Sequence, residues 1–228
     1  MDDAALIAVL QLADSFFPSG AVTLSHGLEA FVSLSPQSQT ELPRLLADYL
    51  KNKVAPLDLV VYVHAYRAAE AADLARLHVI DQYLTVSLWP EELRQGSARS
   101  GRALLDTVSS AGTVPLLQDF LREVQQGNSE GNVPVCLGLL HALWDVPLRA
   151  GGIAFLYTFA VSFLGAALRL GCLGHREAQR ILLSLRSCFS TLIDTALERK
   201  LEEASAFAPL ADIRAMQHAY LSVRLFSS

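Results

Sequence analysis

Cysteine is scarce: Cys136, Cys172 and Cys188 are the three in 228 residues. They are odd in number and widely spaced, with no Cys-x-x-Cys pair, which excludes a disulfide framework and predicts reduced thiols in a cytoplasmic compartment. Charge is scarce too, at 18% of residues, with a net charge of −5 and no block of Lys or Arg. A nucleic-acid surface needs clustered cations against phosphate, so that class is excluded. There is no GxxxxGK[S/T] loop and no GxGxxG after a strand, which excludes both familiar devices for holding GTP or NAD. The histidines at 26, 64, 78, 141, 175 and 218 form no HxH, no HxxxH and no cluster with cysteine. No metal site is predicted, because a resident nickel or zinc ion wants several such ligands converging on one point. Ser25 and His26 are adjacent, but neighbours on a helix point about 100° apart and make no nucleophile–base pair. An enzyme is therefore not expected, and no cofactor is implied. Asp2 and Asp3 stand where a secretory leader would be basic. The apolar run Ile153–Leu168 is shorter than the roughly 20 residues a membrane span requires, and it contains Thr158, Ser162 and Gly165.

What the chain has is apolar material, 52% of its residues. No strand-like alternation, repeat or heptad series occurs, and apolar residues recur at helical steps, as in Leu42, Leu45, Leu46, Tyr49 and Leu50. The expectation is an all-α single domain over residues 1–228, a bundle of roughly ten helices around a central apolar helix. That centre is read at Leu148–Leu170, where almost no polar face is left. Ser35–Gln39 reads as a polar loop, with a helix starting at Thr40 and carrying Pro43 in its first turn. Val54-Ala55-Pro56 reads as an interruption before a helix over Leu57–Ala72. Trp89-Pro90-Glu91-Glu92 opens another helix, whose Gly96 and Gly101 predict close approach of a neighbouring helix. Gly127–Asn132 is the most loop-like stretch, and a last helix is expected from about Leu210 to Leu221.

The rest of the chain is organised around Phe17-Pro18-Ser19-Gly20-Ala21-Val22-Thr23-Leu24-Ser25-His26-Gly27-Leu28-Glu29. Pro-Ser-Gly breaks the chain between two helices. Thr23, Ser25, His26 and Glu29 then crowd polar side chains into a short segment. One reading is a turn and helix start, with Ser or Thr as cap and Glu29 favoured by the helix dipole. The other is a binding surface. A second candidate surface is Arg224-Leu225-Phe226, which pairs a forked cation with an aromatic anchor, residue types that dominate interface hot spots.

The opening segment resembles the signature of the urease accessory protein UreF family: Pro-x-Gly, a Ser/Thr/His cluster, then Gly-Leu-Glu. Glu92, Arg94 and Gly101 fit a second family segment, and Arg169, Gly174, Gln179 and Ile181 a third. The ending Arg224-Leu225-Phe226 after His218 fits a fourth. Val22 stands where the family has an aromatic, and Ala219 where it has glutamate. The resemblance implies an all-helical, non-enzymatic factor for nickel insertion. Its implied partners are a UreD/UreH-type accessory protein, the GTPase UreG and the urease apoprotein, with the chain a homodimer inside that complex. Phe17, Val22, Ser25, His26, Glu29, Arg224, Leu225 and Phe226 are the candidate partner-binding residues, and His26 and Cys172 are left for passing contact with metal. The competing class is a helical small-ligand carrier or enzyme that uses the apolar bundle interior.

The purified chain is expected to hydrolyse no GTP and to hold no nickel tightly. Calorimetry showing sub-micromolar, stoichiometric nickel binding by this chain alone would overturn the second expectation.

Overall fold

A computed structural model describes residues 1–34, 41–110, 112 and 114–227, with the side chain of Val22 left out. The fold is all-α, and no strand occurs among the described residues. The expected loop Ser35–Gln39 and the helix start at Thr40 lie outside the described residues.

Helix α1 (Asp3–Ala13) begins where the Asp2 carboxylate accepts from the Ala5 N–H at 2.8 Å, an N-cap. Gly20, with φ of 71°, then turns the chain into a single 3-10 turn, Ala21–Thr23, ahead of α2 (Leu28–Leu34). Helix α3 (Leu42–Tyr49) carries its proline in the first turn, as expected. The expected interruption at Val54-Ala55-Pro56 does not occur. A π-helical stretch, Leu50–Leu59, carries the chain through Pro56 into α4 (Val60–Glu70) without a break. An α-helix would pair the Asn52 carbonyl with residue 56, but proline has no N–H to give. That carbonyl instead accepts from Phe207 N at 2.8 Å, and the Pro56 carbonyl accepts from Ser205 N at 3.0 Å.

Next come α5 (Leu74–Ser87), α6 (Glu91–Ser109) and α7 (Pro115–Gln125), then α8 (Val133–Leu143) and α9 (Leu148–Arg169). The chain ends its helical course in α10 (His175–Ser184), α11 (Arg186–Glu198) and α12 (Pro209–His218). The last helix is three residues shorter at its end than the spacing suggests. The predicted loop at 127–132 exists, but it is pinned. The carboxylate of Asp81 accepts from Glu130 N at 2.6 Å, Gly131 N at 3.0 Å and Asn132 N at 2.8 Å, while fully buried.

Burial is deepest in α4 rather than in the stretch read as the centre: Val60, Val61, Tyr62, Val63 and Ala65 are all at 0% exposure. Helix α9 is long and apolar enough to cross a membrane by length and composition, yet half of its apolar window is buried within the fold. It is a flanking core helix that leaves Tyr157 exposed. One core cluster runs from Leu12 through to Phe226. Of the two glycines of α6, Gly101 marks a close approach. At Gly101 a Cβ would run into the Gly131 carbonyl and lie 3.0 Å from Cys136 Sγ, so the loop backbone before α8 and the helix itself both approach there. Helices α4 and α8 meet most tightly at Gly138, where a Cβ would lie 2.7 Å from Tyr62 O and 2.9 Å from Tyr66 N.

Gly138→Ala is expected to destabilise the protein although Ala is the better helix former by about 1 kcal/mol. Forcing the two backbones apart costs about 1–3 kcal/mol. Urea unfolding checks this, and unchanged or raised stability would show that α4 and α8 can separate freely.

Candidate functional site

The opening segment and the residues after α12 come together at one buried carboxylate. Glu29 sits in the first turn of α2, 3% exposed. Its Oε1 accepts from the Leu225 amide at 2.7 Å, and its Oε2 accepts from the Phe226 amide at 3.1 Å. The same Oε2 lies 2.8 Å from Nε2 of His218, the last residue of α12. Across the ring, His218 Nδ1 lies 2.7 Å from Glu92 Oε2, and Glu92 Oε1 accepts from Arg224 at 3.1 Å. His218 is fully buried. An imidazole with a carboxylate on each nitrogen is satisfied when both nitrogens carry a proton. Each buried polar atom of the cluster thus has a partner within hydrogen-bond distance, which is what a buried polar network requires.

Around this clamp the strand of residues after α12 is tied down further. Ser227 N donates to Thr23 O at 2.9 Å, and Arg99 donates to Ser227 Oγ at 2.7 Å. The guanidinium of Arg169 stacks over the Phe226 ring, 4.5 Å from its centroid, and Phe226 is 6% exposed. Arg94, the other charged residue of its segment, donates at 2.8 Å to the carbonyls of Leu88 and Trp89, closing the turn before α6.

His26 belongs to a different neighbourhood. Its φ of 55° is left-handed, unusual for a non-glycine residue, and it is held by Tyr49, whose hydroxyl donates to the His26 carbonyl at 2.9 Å. The ring lies 4.8 Å from the Phe159 ring and 3.3 Å from Ser162 Oγ. Burial, with Lys53 nearby, lowers this imidazole to about 4, so it is neutral near pH 7. It opens on a cavity of about 150 Å³, also lined by Lys53, Asp58, Ser100 and Phe155. Lys53 forms an ion pair with Asp212 of α12. Burial pushes the Asp58 carboxyl up to about 7, against the opposing pull of Lys53.

Of the residues expected to bind partners, Glu29, Arg224, Leu225 and Phe226 therefore share one assembly. Ser25 is buried at 0%, with its hydroxyl 3.5 Å from Glu29 N, beneath that assembly rather than on a surface. Phe17 is buried in the core, and the exposed aromatic is its neighbour Phe16. The Val22 side chain lies outside the described residues. Among the described side chains of the set, Leu225 at 70% and Arg224 at 45% are the exposed ones. Cys172 is partly buried, with its thiol raised by that burial, far from a reactive thiolate. Sequence reasoning missed Glu92 as a partner of His218. The signal available was the pair of acidic residues at the start of α6, which reads equally well as a dipole complement.

Comparison with known proteins gives the chain its relatives. The family model described as UreF matches residues 37–186. That span contains Glu92 but neither Glu29 nor His218. Whole-length similarity is broader: the chain is 37% identical over 223 residues to the urease accessory protein UreF of Trichodesmium erythraeum (strain IMS101), covering 97% of this chain and 96% of that one. It is 33% identical over 221 residues to urease accessory protein UreF 1 of Brucella melitensis biotype 1, covering 97% and 92%. With the UreF protein of Actinobacillus pleuropneumoniae serotype 3 the identity is 30% over 230 residues, covering 97% and 98%.

Glu29→Gln is expected to loosen the segment after α12. The amide replaces one accepting oxygen with a donor that faces a donor, and an unsatisfied buried pairing costs about 1–3 kcal/mol. Hydrogen exchange at the Leu225 and Phe226 amides should speed up, and chemical unfolding should show the loss. Glu41→Gln, an exposed control, should move stability by no more than about 0.5 kcal/mol. Equal effects of the two changes would reject the clamp.

Proposed function

The chain belongs to the UreF family of urease accessory proteins, and from that premise we propose that it works without catalysis, as an assembly factor for nickel insertion. In this reading it binds a UreD/UreH-type accessory protein. The pair recruits the GTPase UreG and docks on the urease apoprotein in the cytoplasm, with two copies of this chain in the complex. Nickel is the cargo, released inward when UreG hydrolyses GTP. The chain's own part is positional: it couples the nucleotide state of one partner to metal transfer into another. The missing phosphate loop in its sequence fits this division of labour, since nucleotide chemistry falls to the GTPase.

The observation that carries the reading is the outer side of α12 and the residues after it. Ala211, Ala215 and His218 face inward and are buried. Leu210, Ile213 and Met216 are exposed at 52%, 50% and 43%, followed by Tyr220 at 89%, Val223 at 77% and Leu225 at 70%. Apolar side chains concentrated this way mark an interaction surface rather than ordinary solvated exposure. The clamp holds the backbone of residues 225 and 226 from beneath, so Leu225 is presented in a fixed position. Preorganising a contact in this way cuts the ordering cost of binding.

Leu225→Asp tests the proposal. Its side chain is mostly in water while its amide keeps the bond to Glu29, so folding stability should change by no more than about 0.5 kcal/mol. Co-purification with the UreD/UreH-type protein and urease activation in cells should both be lost. Val86→Asp, at 77% exposure elsewhere, is the matched control and should retain both. Retention of both by Leu225→Asp would overturn this surface as the partner site.

A further inference from the structure

We propose that the cavity beside His26 is a binding site for a small primary ammonium compound with a benzene-sized apolar body. Its size sets the body: at about 150 Å³ it matches a core cavity that admits benzene. Its walls are chiefly apolar, with Phe155 and Phe159 among them, so they favour an apolar body over a polar one.

The polar groups on the wall fall into two sets. Lys53 is taken by Asp212, His26 is neutral and paired with Ser162, Tyr49 donates to the His26 carbonyl, and Ser97 accepts from Val133 N. Asp58, Ser100 and Thr158 are left over, and of these Asp58 carries the charge and Ser100 is the most deeply buried. Among the described residues no other residue donates a hydrogen bond to the Asp58 carboxylate, and its own backbone N–H is the one such group that favours its charged form. The Ser100 hydroxyl is 1% exposed and without a partner. A carboxylate and a hydroxyl oxygen both accept, and an ammonium group offers three donors and no acceptor.

Charge points the same way. Lys53 pulls on Asp58 but is itself paired with Asp212, and His26 is neutral, so ionised Asp58 leaves this group of charges one negative in excess beside apolar wall, which a single cation removes. A divalent metal fits less well, since the described residues hold no group of three His, Cys, Asp or Glu that could coordinate one. The groups near Asp58 are Lys53, Asp212, His26 and Tyr49. Burial raises Asp58 to about 7, while it lowers His26 to about 4 and raises the Tyr49 hydroxyl away from neutral pH. Binding of the cation therefore weakens as pH falls below about 7 and Asp58 takes up its proton.

Benzylamine is the probe, titrated into the full chain by calorimetry, with benzyl alcohol as the uncharged isostere. One benzylamine per chain is expected, bound at least about tenfold more tightly than the alcohol, as one charge-assisted hydrogen bond supplies. The ring resonances of Phe155 and Phe159 should shift, and the preference for the amine should fall below pH 7. Asp58→Asn should reduce the amine to the affinity of the alcohol. Absence of benzylamine binding, equal affinity for both probes, or resonance shifts confined to another part of the protein would each overturn the proposal. The amine–alcohol comparison on the unsubstituted chain decides it even where Asp58→Asn does not fold. Neither readout involves urease, so failure here is separate from failure of the assembly role.

Discussion

One carboxylate holds the functional face together. Glu29 gathers an imidazole from α12 and two backbone amides from the residues beyond it, inside a region almost closed to water. Each donor would be expensive to bury alone, and so would the carboxylate. Together with Glu92 and Arg224 they satisfy one another, every partner being within hydrogen-bond distance. That mutual dependence gives residues beyond the last helix a fixed path, where a short peptide would otherwise sample many.

The same arrangement sorts the side chains of α12 into two sets with different work. The inward set, ending in His218, anchors the helix to α2 and α6. The outward set stays apolar and wet. An apolar stripe on a mobile segment would be a liability for aggregation, whereas on an anchored one it is a defined shape that a partner can match. Lys53 adds a second tether through Asp212, so α12 is held near its first turn as well as at its last residue. The cavity lies behind that tether and shares Lys53 with it.

Local signals made most of the helices legible in advance. Spacing at three and four residues, prolines in first turns and glycines at close approaches are written within a few positions of the elements they control. Pro56 misled because the group that takes over the orphaned Asn52 carbonyl is Phe207, far along the chain. Asp81 gave no sign of its role for the same reason: its partners lie 49 to 51 positions away. Glu29 was legible as a singular residue but not as a buried one. Its local pattern, an acid in the first turn of a helix, is the pattern of a solvated dipole complement, and its real partners are 189 to 197 positions distant. The resemblance in the opening segment and the resemblance after α12 were read as two surfaces. They are two halves of one contact.

The distance along the chain between those halves sets an order of events during synthesis. Residue 29 leaves the ribosome long before residues 218, 225 and 226 exist, so α2 first folds with its carboxylate unanswered. The nascent protein can collapse its body early, but it cannot complete this face until residues 218–226 have emerged and found Glu29. A chain stopped short of that segment carries a buried acid with no donors and lacks the fixed apolar edge. Synthesis through residue 226 is thus built into the surface as a condition for its existence.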